Sequence, residues 1–504
     1  MSALEKQLSD ELKGPTSDVP VLNAEQHDHA LHLEAQPLSK KARLSDAITV
    51  CAAGAALISD GYQNNLMTML NVVFGRLYKA DYDSAMSTRV SNALLVGAIL
   101  GQLTVGVVCD RIGRKAAIVM ATGLIVLGGT LATAAHGMDN LGLLWMFLVA
   151  RGITGFGVGA EYPASSTSAS EAANEKYLKN RGPIFIMVTN FPLSFGGPLA
   201  VSVFLIVLSA AGENNLETVW RVATGVGLVF PLTVFYFRIR MNTTKLYARG
   251  AIKRRVPYWL MIKFYWKRII GTAGSWWLYD FVVFPNGVFS GTIISSIVKD
   301  GSLKATGEYQ LLLGALALPG IFVGAYLMTL PRIGRKGSML IGFGGYLVIG
   351  LIIGCAYDQL ANIVPLFVIF YGLLASFGNL GPGNQLGLLS SECYATPVRG
   401  TLYGFSAAFG KAGAAIGTQC FKPIQAYGKR YTFIASACVG IVGILVVFFF
   451  VPNLNGDDLA NEDARFQAYL TANGWEGEVG EDDDKHLVVA DDRKITSSPD
   501  RASL

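Results

Sequence analysis

Apolar residues recur along this chain in twelve runs of roughly twenty, separated mostly by short polar gaps. The runs cover approximately residues 46–73, 88–109, 116–136, 141–167, 183–209, 219–239, 269–298, 309–330, 338–357, 363–389, 400–421 and 431–452. At about 1.5 Å of rise per residue, each predicts a helix able to cross a hydrocarbon layer about 30 Å thick. The one long internal gap, 240–268, is rich in lysine and arginine. Residues 1–45 and 453–504 are polar, and the latter carry Glu481-Asp482-Asp483-Asp484, which predicts a solvated, mobile acidic tail. The pattern predicts an all-α polytopic membrane protein with twelve transmembrane helices. Its expected divisions are a tail (1–45), a six-helix bundle (46–239), a central loop (240–268), a second bundle (269–452) and the acidic tail.

Composition sharpens this. Of 504 residues, 52% are hydrophobic and only 15% charged, which excludes an ordinary soluble domain. The net charge of +5 matters through its placement. Lys40, Lys41, Arg43, Arg111, Arg114, Lys115, the central loop, Arg332, Arg335 and Lys336 fall on one side. The opposite loops 211–218 and 357–362 hold no lysine or arginine, so both termini and the central loop are expected in the cytoplasm. A sequon at Asn242 would then escape glycosylation. Residues 1–44 lack the apolar core of a signal peptide, which makes the first run an uncleaved anchor. Six cysteines without C-x-x-C spacing read as small apolar fillers. His27, His29 and His32 sit in a polar tail, and no metal or cofactor is expected.

The two halves repeat. RIGRK occurs at Arg111–Lys115 and again at Arg332–Lys336, an offset of 221 that Ser170-Glu171 and Ser391-Glu392 share. Asp60 and Asp280 are 220 apart. Three landmarks whose offsets agree to within one residue mark a duplicated six-helix unit, and two parallel halves around a midplane site are the plan of the major facilitator fold. The loop from Gly106 to Lys115 resembles the cytoplasmic signature of that superfamily. In it Asp110, Arg111 and Arg114 read as a gate latch, while Pro331 replaces the acid in the second copy. Arg151, Glu171 and Glu392 complete the expected gating set.

Asp60, Arg151, Glu161, Asp280 and Lys411 are charges inside apolar runs. Such charges cost roughly 2.5–3.5 kcal/mol on insertion scales, so they are expected to face a bundle interior or a water-filled path. Glu161-Tyr162-Pro163 joins an acid, a phenol and a helix-breaking ring, a combination suited to lining a cavity. Gly152, Gly155, Gly157 and Gly159 follow no strand, so they predict close helix packing and not a phosphate loop. Three acids and two bases in one cavity suit a proton-coupled carrier of an anion. A buried carboxylate can take up a proton near neutral pH, and Lys411 can offer a compact cation.

At GAEYPASSTSASEAAN and GTAGSWWLYDFVVFPNG the resemblance narrows to the phosphate:proton symporter family. ISDGYQNN, MVTNFPLSFGGP, DFVVFPNG and GPGNQLGLLSSE extend it to the fungal glycerophosphodiester permeases, over about Asp46 to Gly474. The resemblance implies substrate ligands at Tyr162, Asn190, Trp276, Asp280, Phe284, Asn384 and Lys411. It implies proton coupling through Asp60, Glu161 and Asp280. Asn190 replaces the family's glutamine, Phe284 its tyrosine, and Gly383 its asparagine, with Asn384 adjacent. Gln63 stands where phosphate carriers have a second acid. Shorter side chains and a lost hydroxyl leave room for an alcohol substituent on the phosphate.

The implied function is proton-coupled uptake of glycerophosphoinositol, glycerophosphocholine or both, across the plasma membrane, by alternating access. The alternatives are an inorganic phosphate:proton symporter and a nutrient sensor with little flux. The expected partners are the diester anion, protons and the lipid bilayer, with no nucleic acid. An enzyme is not expected, since G-x-S-x-G and paired metal-ligand spacings are absent.

Overall fold

Helix α1 (Leu57–Leu77) and α2 (Ser84–Arg111) begin a succession of helices. The computed structural model describes residues 57–111, 114–176, 181–239, 257–298, 301–454 and 459–475. In order follow α3 (Arg114–Thr133), α4 (Asn140–Lys176), and α5, made of Arg181–Val188 and Asn190–Ala211. The first half ends with α6, made of Leu216–Val226 and Val229–Ile239. The second half opens with α7, in which Tyr258–Ile269 runs through a π turn, Ile270–Gly274, into Ser275–Ser295. Then come α8 (Leu303–Ala317 and Pro319–Leu327), α9 (Gly334–Cys355) and α10 (Val364–Gly378, a π turn Asn379–Gly383, and Asn384–Glu392). Last are α11 (Thr396–Tyr427), α12 (Arg430–Phe450) and a terminal α13 (Leu459–Ala472). All belong to one compact unit within residues 49–504.

Eight of these spans are long and apolar enough on their own to cross a membrane, by length and composition. Helices α1, α7 and α11 are not among the eight. They carry Asp60, Asp280 and Lys411, whereas Arg151 and Glu161 lie on α4, which is among the eight.

Small residues set the helix spacing. A Cβ on Gly155 or Gly159 would lie 2.1 Å from the carbonyl oxygen of Leu94 or Ala98, so α2 and α4 cross with backbones in contact. The expected packing role of these glycines is what the structure shows. The same device joins the halves: a Cβ on Gly404 of α11 would meet the Gln102 carbonyl of α2 at 2.4 Å. The wider turn around Pro382 in α10 fits a residue that donates no backbone N–H.

Two stretches differ from the sequence reading. Residues 258–268, expected in the central loop, are helical, and Met261 and Tyr265 turn inward while Trp259, Ile262 and Trp266 face out. Their partner is α13, from the tail expected to be solvated, which buries Phe466 and Leu470. The rings of Phe264 and Tyr265 pack on Phe466, and that of Phe264 on Tyr469. Sparse apolar residues at i, i+3, i+4 spacing, scattered among charges, form these faces. Residues 240–256 and the acidic run 481–484 lie outside the described residues.

Candidate functional site

The helices surround a central cavity of about 260 Å³, walled by α1, α4 and α5 from the first half and α7, α8, α10 and α11, with Tyr346 of α9, from the second. Its ionisable carboxylate and ammonium are those of Asp280 and Lys411, which meet at 2.8 Å with both side chains buried. The Lys411 ammonium also lies 4.1 Å from the Phe284 ring centre and 5.5 Å from that of Tyr162. Two aromatic faces thus take the place of water around a desolvated cation. Trp276, one turn before Asp280, turns its ring edge-on to Tyr403.

Carboxamides form much of the remaining polar wall. Asn190 of α5 donates to the Asn384 side chain across the halves at 2.7 Å, and Asn384 donates to the Ile321 carbonyl. Asn64 and Asn65 each donate to a backbone carbonyl one turn back in α1. Asn286 donates to Ser436, and the Tyr371 hydroxyl donates to the Asn286 carbonyl. All seven residues expected to bind substrate lie on this wall.

The other intramembrane charges do not. Asp60 and Glu161 are fully buried but stand off the wall, beside the lining residues Gly61 and Tyr162. Both lie within electrostatic reach of the Tyr162 hydroxyl. Arg151 reaches back to α1, donating to the Gln63 carbonyl at 3.4 Å over the Phe147 ring. The cavity wall therefore carries one acid and one base, not the five charges expected together.

Beyond each end of the cavity the halves touch. On the side of the 240–256 link, the Asp110 carboxylate accepts from the Gly400 and Thr401 amides at 3.1 and 2.5 Å, and from the Thr401 hydroxyl at 2.8 Å. An α2 acid thus holds the second turn of α11 through charge-assisted hydrogen bonds. Nearby, Glu392 of α10 takes Arg181 of α5 at 2.9 Å and Arg335 of α9 at 2.6 Å, with both its partners buried. On the far side, Thr68 donates to the Gly287 carbonyl, Asn71 to that of Val288, and Asn92 to that of Ala415. Contacts between the halves thus lie on both sides of the cavity. The side chains of Arg111, Arg114 and Glu171 lie outside the described residues.

Sequence reasoning missed Arg181 as a gate residue. A signal was available in the recurrence of Arg-Gly at 181–182 and 399–400, each a short way past a Ser-Glu pair. It also missed how α13 holds this end. Asp463 accepts from the Thr396 amide and hydroxyl, both at 2.6 Å, and Glu462 pairs with Arg268 at 2.8 Å. Between these contacts sits Cys393, whose thiol burial pushes up to about 12 despite the Arg268 guanidinium beside it.

The sequence profile described as "Sugar (and other) transporter" matches residues 47–466. Glycerophosphoinositol permease 1 of Candida albicans is 53% identical over 449 residues, covering 88% of this chain and 86% of that protein. Glycerophosphoinositol transporter 1 of Saccharomyces cerevisiae is 51% identical over 456 residues, covering 89% and 88%. Among solved structures, the major facilitator superfamily proton:xylose symporter XylE aligns with a TM-score of 0.69 at 18% identity, covering 83% of this chain and 98% of that one. At that identity the likeness speaks to the fold alone.

Proposed function

We propose that this chain, which belongs to the family of sugar and other transporters and has the major facilitator fold, imports glycerophosphodiesters together with protons. It is a multi-pass membrane protein. The observation that carries the reading is the lone Lys411–Asp280 pair on the cavity wall. A phosphodiester monoanion that claims the Lys411 ammonium must displace the Asp280 carboxylate. Left ionised in a dry cavity, that carboxylate would be strongly unfavourable, so the exchange requires a proton on Asp280. Anion entry and proton uptake become one event. Asp60 and Glu161, buried behind Gly61 and Tyr162, supply the proton relay, and Trp276 packs on the substituent of the phosphate.

With both termini and the 240–256 link in the cytoplasm of the plasma membrane, Asp110, Arg181, Arg335 and Glu392 form the inner gate, assisted by Arg111, Arg114 and Glu171, whereas Arg151, expected in the same set, instead braces α4 against α1 within the first half. Thr68, Asn71 and Asn92 then form the outer gate. The cycle is alternating access: the outer contacts open, the protonated cavity takes the anion, and the inner contacts part for release. The similarity to two permeases named for glycerophosphoinositol supports the substrate class. The test is uptake of labelled glycerophosphoinositol into reconstituted vesicles across a pH series, with glycerophosphocholine and inorganic phosphate as competitors. Diester uptake that rises with an inward proton gradient and is weakly inhibited by phosphate supports the reading. Phosphate competing at the same concentration as the diester, or binding without uptake, would favour the phosphate symporter or the sensor.

A further inference from the structure

Gln310 of α8 lines the cavity and is 6% exposed. The other six carboxamides on the wall each spend an atom on a protein partner, as described for Asn190, Asn286 and Asn384. Gln310 makes no side-chain hydrogen bond among the described residues, and its Oε1 is buried without a partner. Native interiors rarely leave such a group unsatisfied, and an unmet one inside a binding cavity points to a ligand that meets it.

Its position says which part of the ligand. Helix α8 descends from the far end, and Gln310 stands seven residues past its first residue, about 10 Å down. Asp280 stands fifteen residues before the end of α7, about 22 Å from that same end. Gln310 is therefore roughly 10 Å outward of the charge pair. At a comparable depth stand Asn286 and Tyr371, joined by their own hydrogen bond, and the wall around them holds no charged side chain.

We infer that Gln310 is the specificity determinant for the alcohol end of the substrate, selecting diesters whose substituent is an uncharged polyol over those carrying a quaternary ammonium. This rests on the diester-carrier reading above. A primary carboxamide offers one acceptor and two donors, and a polyol hydroxyl can donate to Oε1 and accept from Nε2 at once. A trimethylammonium group has no O–H or N–H to give, so Oε1 stays unmet when it binds. Sites built to hydrogen-bond a substrate hydroxyl reject analogues that lack it far better than apolar pockets discriminate size.

The experiment uses the full chain in vesicles, with glycerophosphoinositol and glycerophosphocholine each measured as inhibitors of labelled glycerophosphoinositol and labelled glycerophosphocholine uptake. Wild type is expected to favour the polyol diester by about tenfold or more. Gln310→Leu should weaken glycerophosphoinositol by that factor and leave glycerophosphocholine unchanged, which also shows that the variant folds. Gln310→Asn, with a shorter amide, should fall between. Equal weakening of both diesters, or no change in either, would overturn the role of Gln310 while leaving the carrier reading intact. Wild type that carries neither diester would overturn the carrier reading, and this inference with it.

Discussion

The Lys411 ammonium and the Asp280 carboxylate meet at 2.8 Å across α7 and α11, both within the second half of the molecule. The second half thus neutralises its own cavity charge, and the first half places none on the wall. In the proposed cycle an incoming anion competes with Asp280 for one cation, and a proton on Asp280 settles the exchange.

Removing one partner strands the other. Lys411→Ala leaves a buried carboxylate and should lower stability by about 3–5 kcal/mol, whereas pairing it with Asp280→Asn should restore most of that loss. Thermal unfolding in detergent reads the stability and vesicle uptake reads the function. The double variant should fold and still fail to concentrate the anion. A double variant that transports normally would remove the pair from the mechanism.

At the proposed inner gate the two guanidinia on Glu392 are unequal. Arg335 shares its half with Glu392, while Arg181 crosses from the other. Arg181→Ala leaves Glu392 paired and should mainly unlatch the halves, but Glu392→Ala strands two cations and should cost more stability. Cys393 reports the difference. With its thiol held at about 12, only about one in ten thousand is thiolate at pH 8, so maleimide labelling should be slow in wild type. It should speed up about tenfold for each 1.4 kcal/mol by which a variant favours the open gate. Identical labelling in wild type and Arg181→Ala would show that the pair does not hold this end shut.

The α2–α4 crossing depends on missing side chains. Gly155→Ala puts a carbon 2.1 Å from the Leu94 carbonyl and should destabilise by about 1–3 kcal/mol, while Gly344→Ala, with nothing within 4 Å, should be silent. A thermal shift of equal size in both would reject the packing account.

The terminal helix should matter to the gate. Asp463→Ala removes the acceptor for the first amide of α11 and should cost about 1 kcal/mol in the closed state. Faster Cys393 labelling with unchanged substrate affinity is the expected signature. A change in affinity alone would place its effect in the cavity instead.

The sequence exposed what is expensive and hid what is cheap. Twelve spans were legible because crossing a membrane requires long apolar runs, and Asp280 and Lys411 because a charge in such a run needs a reason. Glu161 and Tyr162 show where the reading stopped. Adjacent residues on a helix point about 100° apart, so without a known axis one cannot say which faces the cavity. Glu392 was legible as a gate acid, but Arg181 and Arg335 sit at helix ends, where basic residues ordinarily serve topology, so their pairing with it was not. Gln310 carries no charge, and an amide within an apolar run gives no warning of its use. Helix α13 holds few apolar residues, and those acquire meaning only against the 258–269 face.

The most direct measurement follows labelled glycerophosphoinositol and internal pH together, in vesicles holding the wild-type chain or Asp280→Asn, under an imposed inward proton gradient. The account predicts that wild type acidifies the lumen as the diester accumulates, and that Asp280→Asn exchanges diester across the membrane without concentrating it. Accumulation in Asp280→Asn equal to wild type, or diester entry into wild-type vesicles with no movement of protons, would contradict it.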